Sequence, residues 1–333
     1  MELFEILTAL NAAFGPSGDE SGIASVIADL ARPYVDEITT DVMGNLICHK
    51  RGNGPRIMFA AHMDSLGLVV THVEEDGFLR VGALGGISAA RVLHTPVRFK
   101  NGTRGTLVVD GDIPMDKVTM TDLYVDIGVK NREQALTLVA LGDVAVYDTP
   151  VIRQGDVIFS PYMDNRISCA IQLLGMKQLG QTENDLYFVF TTQEELGLRG
   201  AKTASYAIAP DYGIVLDVTG SVDTPNVKYT DSSKLGEGAA IKVMDASVIC
   251  HPQVIATLKQ LATEQNIPHQ LTVKRTGGTD AGAMQPSRAG VRVGGITVPC
   301  RYTHSPVECV STNDALACVR LMCAFAQAEL EKV

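Results

Sequence analysis

Residues 186–200, LYFVFTTQEELGLRG, decide how the rest of the chain is read. The apolar, β-branched and aromatic run through Leu186, Val189 and Phe190 predicts a buried strand. It ends in two adjacent carboxylates, Glu194 and Glu195, followed by Gly197 and Gly200. Acidic residues where a buried strand gives way to a loop are where an α/β enzyme keeps its chemistry. Alone, a Glu-Glu pair reads as a solvated turn. Its company argues otherwise, because His62, Asp64, Asp164, Asp217 and His304 occupy comparable strand-end or loop contexts. Hard oxygen donors and imidazoles, with one carboxylate to spare, are the ingredients of a two-metal hydrolytic site.

Upstream, residues 55–61 (PRIMFAA) predict another buried strand, which delivers His62 and Asp64 at its end. In an extended chain a spacing of two puts both side chains on one face, and the carboxylate can then orient the imidazole of a metal ligand. Before it, Leu3, Ile6, Leu7 and Leu10 have helical spacing, and Gly15-Pro16 stops that helix. Ser17 with Glu20 predicts a capping box for a second helix through Ile23, Val26, Ile27 and Leu30. Residues 35–40 and 45–50 read as strands joined at Met43-Gly44.

From 67 to 154 the texture changes to short alternating runs broken by Gly, Asp and Asn. Asn101-Gly102 is a strong hairpin signal there. This stretch reads as a small β-domain inserted into an α/β domain, serving packing or oligomerisation. Downstream, Asp164-Asn165-Arg166 opens an apolar helix over 167–179, where Asp164 in isolation reads as an N-cap. A strand over 212–216 places Asp217 at its end. Further strands are expected over 239–244 and 294–299, a helix over 251–265 started by Pro252, and a closing amphipathic helix over 313–332. The run Gly277-Gly278-Thr279-Asp280-Ala281-Gly282 lacks the Lys and spacing of a P-loop. It reads as a tight loop letting backbone approach the site. Strands alternating with helices on both sides of the insertion argue a mainly parallel sheet flanked by helices.

The totals narrow the function. With 333 residues, 46% hydrophobic and 20% charged, the chain can bury a sizeable core. A net charge of −10 without a Lys/Arg run argues against nucleic-acid binding. No uncharged apolar run is long enough to span a bilayer. The acidic start MELFEILTAL has no signal-like basic region, and seven irregularly spaced cysteines suit reduced thiols, so a cytoplasmic protein is expected.

Six stretches, AAHMDSLGLVV (60–70), YMDNRISC (162–169), TTQEELGLRGA (191–201), VLDVTGS (215–221), GGTDAGAMQ (277–285) and RYTHSPVE (301–308), resemble the M42 family of metallo-aminopeptidases. That family holds glutamyl and tetrahedral aminopeptidases, and some members carry an endoglucanase label. Each motif is modest alone; six in the family's order are specific. The resemblance implies a zinc-exopeptidase-like α/β catalytic domain (1–66 and 155–333) interrupted by a β-barrel-like oligomerisation domain (67–154). It also implies that Asp164 bridges two divalent metals, with a cis bond to Asn165. His62 and Asp217 would complete one metal, and Glu195 and His304 the other. Glu194 would be the general base acting on a metal-bridging hydroxide, and Asp64 the partner of His62. Zinc is the expected metal, with cobalt or manganese as alternatives. Short peptides are the implied substrates, and a homo-oligomer, commonly a dodecamer around an inner chamber, the implied assembly. Two stretches depart from the family pattern: Ser65 stands where Glu is common, and Gly236-Glu237-Gly238-Ala239 differs from the commoner G-x-G-P.

Other readings remain open on sequence alone. A deacylase or other amidohydrolase could use the same di-metal scaffold. A glycosidase needs two carboxylates but no metal, and 5% aromatics without Trp offer little sugar-stacking surface. A non-catalytic scaffold would bind no metal.

Overall fold

Burial on both faces, rather than alternation, marks the central strands. In the computed structural model, which describes residues 2–225 and 233–332, the chain opens with α1 (Leu3–Ala12), α2 (Ser21–Ala31), β1 (Glu37–Thr40), β2 (Leu46–Lys50) and β3 (Arg56–His62). Every side chain from Ile57 to Ala61 is fully buried. Ile57, Phe59 and Ala61 join one core cluster while Met58 and Ala60 join another. This is the two-residue period of a strand covered on both sides.

Six short strands follow: β4 (Gly67–Val73), β5 (Leu79–Leu84), β6 (Pro96–Phe99), β7 (Arg104–Val109), β8 (Leu123–Asp126) and β9 (Val144–Tyr147), with α3 (Arg132–Leu138) before the last. They close into a barrel in the order β4-β5-β8-β7-β6-β9. Leu68, Val81, Val97, Phe99, Leu107 and Val125 are among the residues of its separate core. At the β6–β7 hairpin Gly102 takes φ +91°, and Asn101 Oδ1 accepts the Thr103 amide at 3.0 Å.

The larger sheet then resumes with β10 (Ile152–Gln154), β11 (Val157–Ser160), α4 (Met163–Gln178), β12 (Asp185–Thr191), α5 (Arg199–Ile208), β13 (Tyr212–Gly220), β14 (Ala239–Met244), α6 (Pro252–Glu264), β15 (His269–Val273), α7 (Ala281–Met284), β16 (Arg292–Arg301), β17 (Glu308–Ser311) and α8 (Thr312–Ala326). Its path is β1-β2-β12-β3-β13-β16-β17-β11-β10, with β14 and β15 branching from β16. The central four strands, β12, β3, β13 and β16, are mutually parallel, and antiparallel strands finish both edges. Phe59 and Phe188 stack across the β3–β12 pair at 5.4 Å. Truncating such a buried Phe to Ala typically costs about 3–5 kcal/mol, a large share of a domain's net stability of about 5–15 kcal/mol. The loops leaving these strands therefore start from fixed points.

Three local expectations change. Ser17 does not cap α2: its hydroxyl donates to Asp64 Oδ2 at 2.6 Å, and the helix starts after Glu20. The strand expected to end before Asp217 runs on to Gly220, because β16 pairs with it as far as Cys300. The closing helix stops at Ala326, where Thr182 and Asn184 take its last carbonyl and Asn184 also takes that of Ala328. Strand β17, absent from the sequence reading, pairs with β11 and β16.

Candidate metal centre

The parallel strands point their C-terminal ends the same way, which is where open α/β sheets bind ligands. Thr191 of β12 pairs with His62 of β3, so the Glu194-Glu195 loop leaves the sheet beside the imidazole. Val215 of β13 pairs with Ala60, which brings Asp217 level with His62. Asp164 enters from the first turn of α4 and is joined to Asn165 by a cis peptide bond. His304 arrives from the turn between β16 and β17.

These side chains converge. His62 Nε2 lies 3.0 Å from Asp164 Oδ1 and 4.0 Å from Asp217 Oδ1. His304 Nε2 lies 3.5 Å from Asp164 Oδ2 and 3.7 Å from Glu195 Oε2. Asp164 thus faces both imidazoles, one oxygen to each. Ligand atoms of His62, Asp164 and Glu195 all lie within 4.8 Å of one another.

A supporting layer surrounds this cluster. Asp64, fully buried, accepts the amides of Glu194 at 3.0 Å and Glu195 at 3.3 Å besides the Ser17 hydroxyl. It also stands 3.4 Å from His62 Nδ1. Ser65, one of the two departures, has its hydroxyl on the Gly15 carbonyl, and its own carbonyl accepts the Ser17 amide. The Ser17 hydroxyl that this connection secures is the one given to Asp64. The other departure, Glu237, is exposed between two glycines whose amides bond to Asp314. The barrel contributes Gly86, whose carbonyl lies 2.8 Å from His304 Nδ1.

The electrostatics describe a site with too much negative charge for its protein partners. Burial is the largest influence on Glu194, Glu195 and Asp217, and neighbouring carboxylates add to it. Glu194 is raised well above its ordinary range, Glu195 to about 7 and Asp217 to about 8. Burial would raise Asp164 too, but bonds from His304 and His62 hold it well below the usual range. Burial would depress His62, yet the Glu194, Asp164 and Asp64 carboxylates outweigh that and raise it. His304 is raised to about 10, chiefly by its bond to Asp164. Glu195 Oε1 is buried and has no hydrogen-bond partner. An orphaned carboxylate oxygen among clustered carboxylates and imidazoles fits divalent cations, whose charge would relieve the crowding.

Two buried acids at the site carried no assignment from sequence. Glu308, at the start of β17, accepts the amides of Asp164 at 2.8 Å and His304 at 2.7 Å. Asp280 accepts the Thr191 hydroxyl and is raised to about 6, mainly by burial. Neither has a local sequence signal; Glu308 lies inside the quoted RYTHSPVE stretch, but only the fold turns it toward the centre. The centre opens on a cavity of about 660 Å³ whose lining includes Lys242, Asp245, Lys274 and the Gly277-Gly278 loop.

Comparison with known proteins agrees over nearly the whole chain. Residues 44–321 match the family described as M42 glutamyl aminopeptidase. A lysyl aminopeptidase of Pyrococcus furiosus is 34% identical over 332 residues, covering 96% of this chain and 95% of its own. The solved aminopeptidase of Desulfurococcus kamchatkensis superposes with a TM-score of 0.93 at 35% identity, covering 98% of this chain and 94% of its own. The TET1 peptidase of Pyrococcus horikoshii, which can assemble into a tetrahedron or a large octahedral shell, superposes with a TM-score of 0.89 at 30% identity, covering 98% and 100%.

Proposed function

The chain belongs to the M42 peptidase family and is a hydrolase, and we propose that it removes N-terminal residues from short peptides with two divalent cations held by five of its side chains. His62 and Asp217 would hold one cation, Glu195 and His304 the other, and Asp164 both. The observation that carries this reading is the approach of Asp164 to both imidazoles, 3.0 Å and 3.5 Å from its two oxygens. Zinc suits the donor set, and cobalt or manganese would also be tolerated.

When bound, the cations would polarise the scissile carbonyl, acidify a water molecule and offset the charge of the tetrahedral intermediate. Glu194 lines the cavity and is left without a ligand role in this assignment. Its carboxylate takes the proton of the attacking water and hands it to the leaving amine, help typically worth about 10²–10⁴-fold. Its upward shift by burial favours that return of the proton. Asp64 holds the His62 ring and, through two backbone amides, fixes where Glu194 and Glu195 start. A free α-amine is attracted to so acidic a cavity, which favours trimming from the N-terminus.

We read 1–66 and 155–333 as the catalytic domain and 67–154 as an oligomerisation domain. The barrel segment exposes Met115, Leu136, Leu138 and Leu141, apolar surface that a homo-oligomer such as a dodecamer would cover. The chain's seven cysteines form no disulfide, which suits a cytoplasmic protein. Among the described residues no helix is long and apolar enough to cross a membrane.

The test is a panel of aminoacyl anilides against N-acyl amino acids, assayed with metal content measured on the same sample. Two equivalents of metal per subunit and cleavage of free-amine substrates, abolished by chelation and restored by metal, is the expected result. Cleavage confined to N-acyl amino acids would make the chain a deacylase instead. Turnover unaffected by chelation would remove the metals from the reading.

A further inference from the structure

Two cations line the cavity without an acidic partner. Arg91 is exposed in the connection between β5 and β6, and Lys274 is half-buried just beyond β15; neither forms an ion pair with a carboxylate among the described residues. The third cation in the lining, Lys242, is balanced by Asp245 at 2.8 Å. The remaining carboxylates there are Glu194 and the proposed donors Asp164, Glu195 and Asp217. The cavity is therefore acidic where the donors meet and basic at Arg91 and Lys274.

Arg91 is the better suited of the two to hold an anion. Its Nη1 donates to the Thr303 carbonyl at 3.3 Å, and Thr303 precedes the proposed donor His304. Arg91, Thr303 and Gly220 also line a second cavity, so the guanidinium sits where the two meet. Among the described residues lining that second cavity there is no carboxylate to compete for it. A guanidinium carries five N–H donors in a planar fork. With one given to Thr303, the Nε–Nη2 edge remains for both oxygens of a carboxylate. Lys274 offers only a point charge, and its ammonium already donates to the Gly220 carbonyl.

We propose that Arg91 receives the free C-terminal carboxylate of a di- or tripeptide whose α-amine is held at the metal end, so that peptides of two or three residues are preferred over C-terminally blocked ones. The inference rests on the aminopeptidase reading and names the length and the terminus of its substrate. An extended peptide advances about 3.3–3.6 Å per residue. One or two residues beyond the cleaved bond therefore carry the carboxylate about 3–7 Å from it, and Arg91 is held one residue from a donor, a separation of the same order. A zwitterion of that length pairs both of its ends. A longer peptide presents an uncharged amide to the guanidinium instead.

The experiment compares kcat/KM for X-Gly, X-Gly-Gly and X-Gly-Gly-Gly-Gly-Gly, each as free acid and as C-terminal amide, X being the residue cleaved fastest as an anilide. The metal-loaded wild type is expected to favour acid over amide by about 10-fold at two or three residues and not at six. That is the lower end for a hydrogen bond to a charged group, because Arg91 is exposed. The preference should shrink in high salt. Arg91→Gln should bring the acid/amide ratio towards one, Arg91→Lys should retain part of it, and Lys274→Met should leave it in place. Equal cleavage of acid and amide by the wild type at both short lengths overturns the proposal and leaves the aminopeptidase reading standing. So does a preference that persists at six residues, or one that survives Arg91→Gln but vanishes in Lys274→Met. An Arg91→Gln that slows acid and amide equally makes Arg91 a support for Thr303 and also overturns it. Inactivity of the wild type on every peptide and anilide overturns the aminopeptidase reading, and this proposal with it. Should Arg91→Gln fail to fold, the wild-type ratios at the three lengths and their salt dependence still decide.

Discussion

Glu308 grips Asp164 by its backbone: Oε2 accepts the Asp164 amide at 2.8 Å while Oε1 accepts that of His304 at 2.7 Å. One buried carboxylate thereby fixes the main chain of two proposed ligands that are 140 residues apart in sequence (304 − 164). Glu308→Gln keeps the shape but replaces one acceptor by an N–H donor facing an N–H. Changes to such supporting groups typically cost about 10–100-fold in metal affinity. Competition with a chelator, alongside circular dichroism to verify folding, measures this. Wild-type affinity in the variant would show that Glu308 is idle.

Glu194→Gln removes the proposed base and leaves all five proposed ligands intact. Metal content should stay at the wild-type level while kcat falls by about 10²–10⁴-fold. Elemental analysis and steady-state kinetics on one preparation check both halves. A variant with full turnover ends the assignment.

The barrel reaches the centre through Gly86. A Cβ there would lie 2.8 Å from His304 Nδ1 and 3.0 Å from its Cε1, so Gly86→Ala must push the ring away. We expect metal affinity to fall by about 10-fold or more, with the thermal midpoint within a few degrees of wild type. Retention of one metal rather than two per subunit would be the direct signature, because His304 is proposed to serve a single cation.

Asp223 and Arg301 form a partly buried pair with contacts of 2.6 Å and 2.9 Å. The Arg301 guanidinium, above all, holds the Asp223 carboxyl down at about 2. An unfolded Asp titrates near about 3.9. Because the folded value is the lower, the pair's contribution is fully present above the unfolded value and disappears as pH falls through about 4 towards about 2. Asp223→Asn should therefore be less stable than wild type near neutrality, by about 1 kcal/mol or less for a pair this near the surface. The gap should close in acid. Urea midpoints of the two proteins at about pH 7 and about pH 3 read it; a gap that widens in acid would contradict the sign.

How much of this was legible before the fold can be seen at particular residues. The strand through Phe188 and the strand through Phe59 were readable because two-sided burial demands unbroken apolar runs. The Asn101-Gly102 turn was readable because few residues accept positive φ. Ser17 was misread: its spacing to Glu20 satisfies a local capping rule, and only the approach of Asp64 across 47 residues decided otherwise. Asp217 was misplaced to a strand end because a carboxylate normally breaks an apolar run, whereas pairing with β16 carries the strand three residues further. β17 is four residues long, too short for any period to declare itself.

The sequence by itself determined the α/β architecture, the inserted β-domain and the acids and imidazoles that could serve a metal, because burial patterns and donor chemistry are properties of local runs. Only the tertiary structure decided that Asp164 meets His62 and His304 together and that Glu308 holds two of these groups by their backbones. Those facts depend on which strand lies beside which, and long-range pairing leaves no mark on any single stretch of chain.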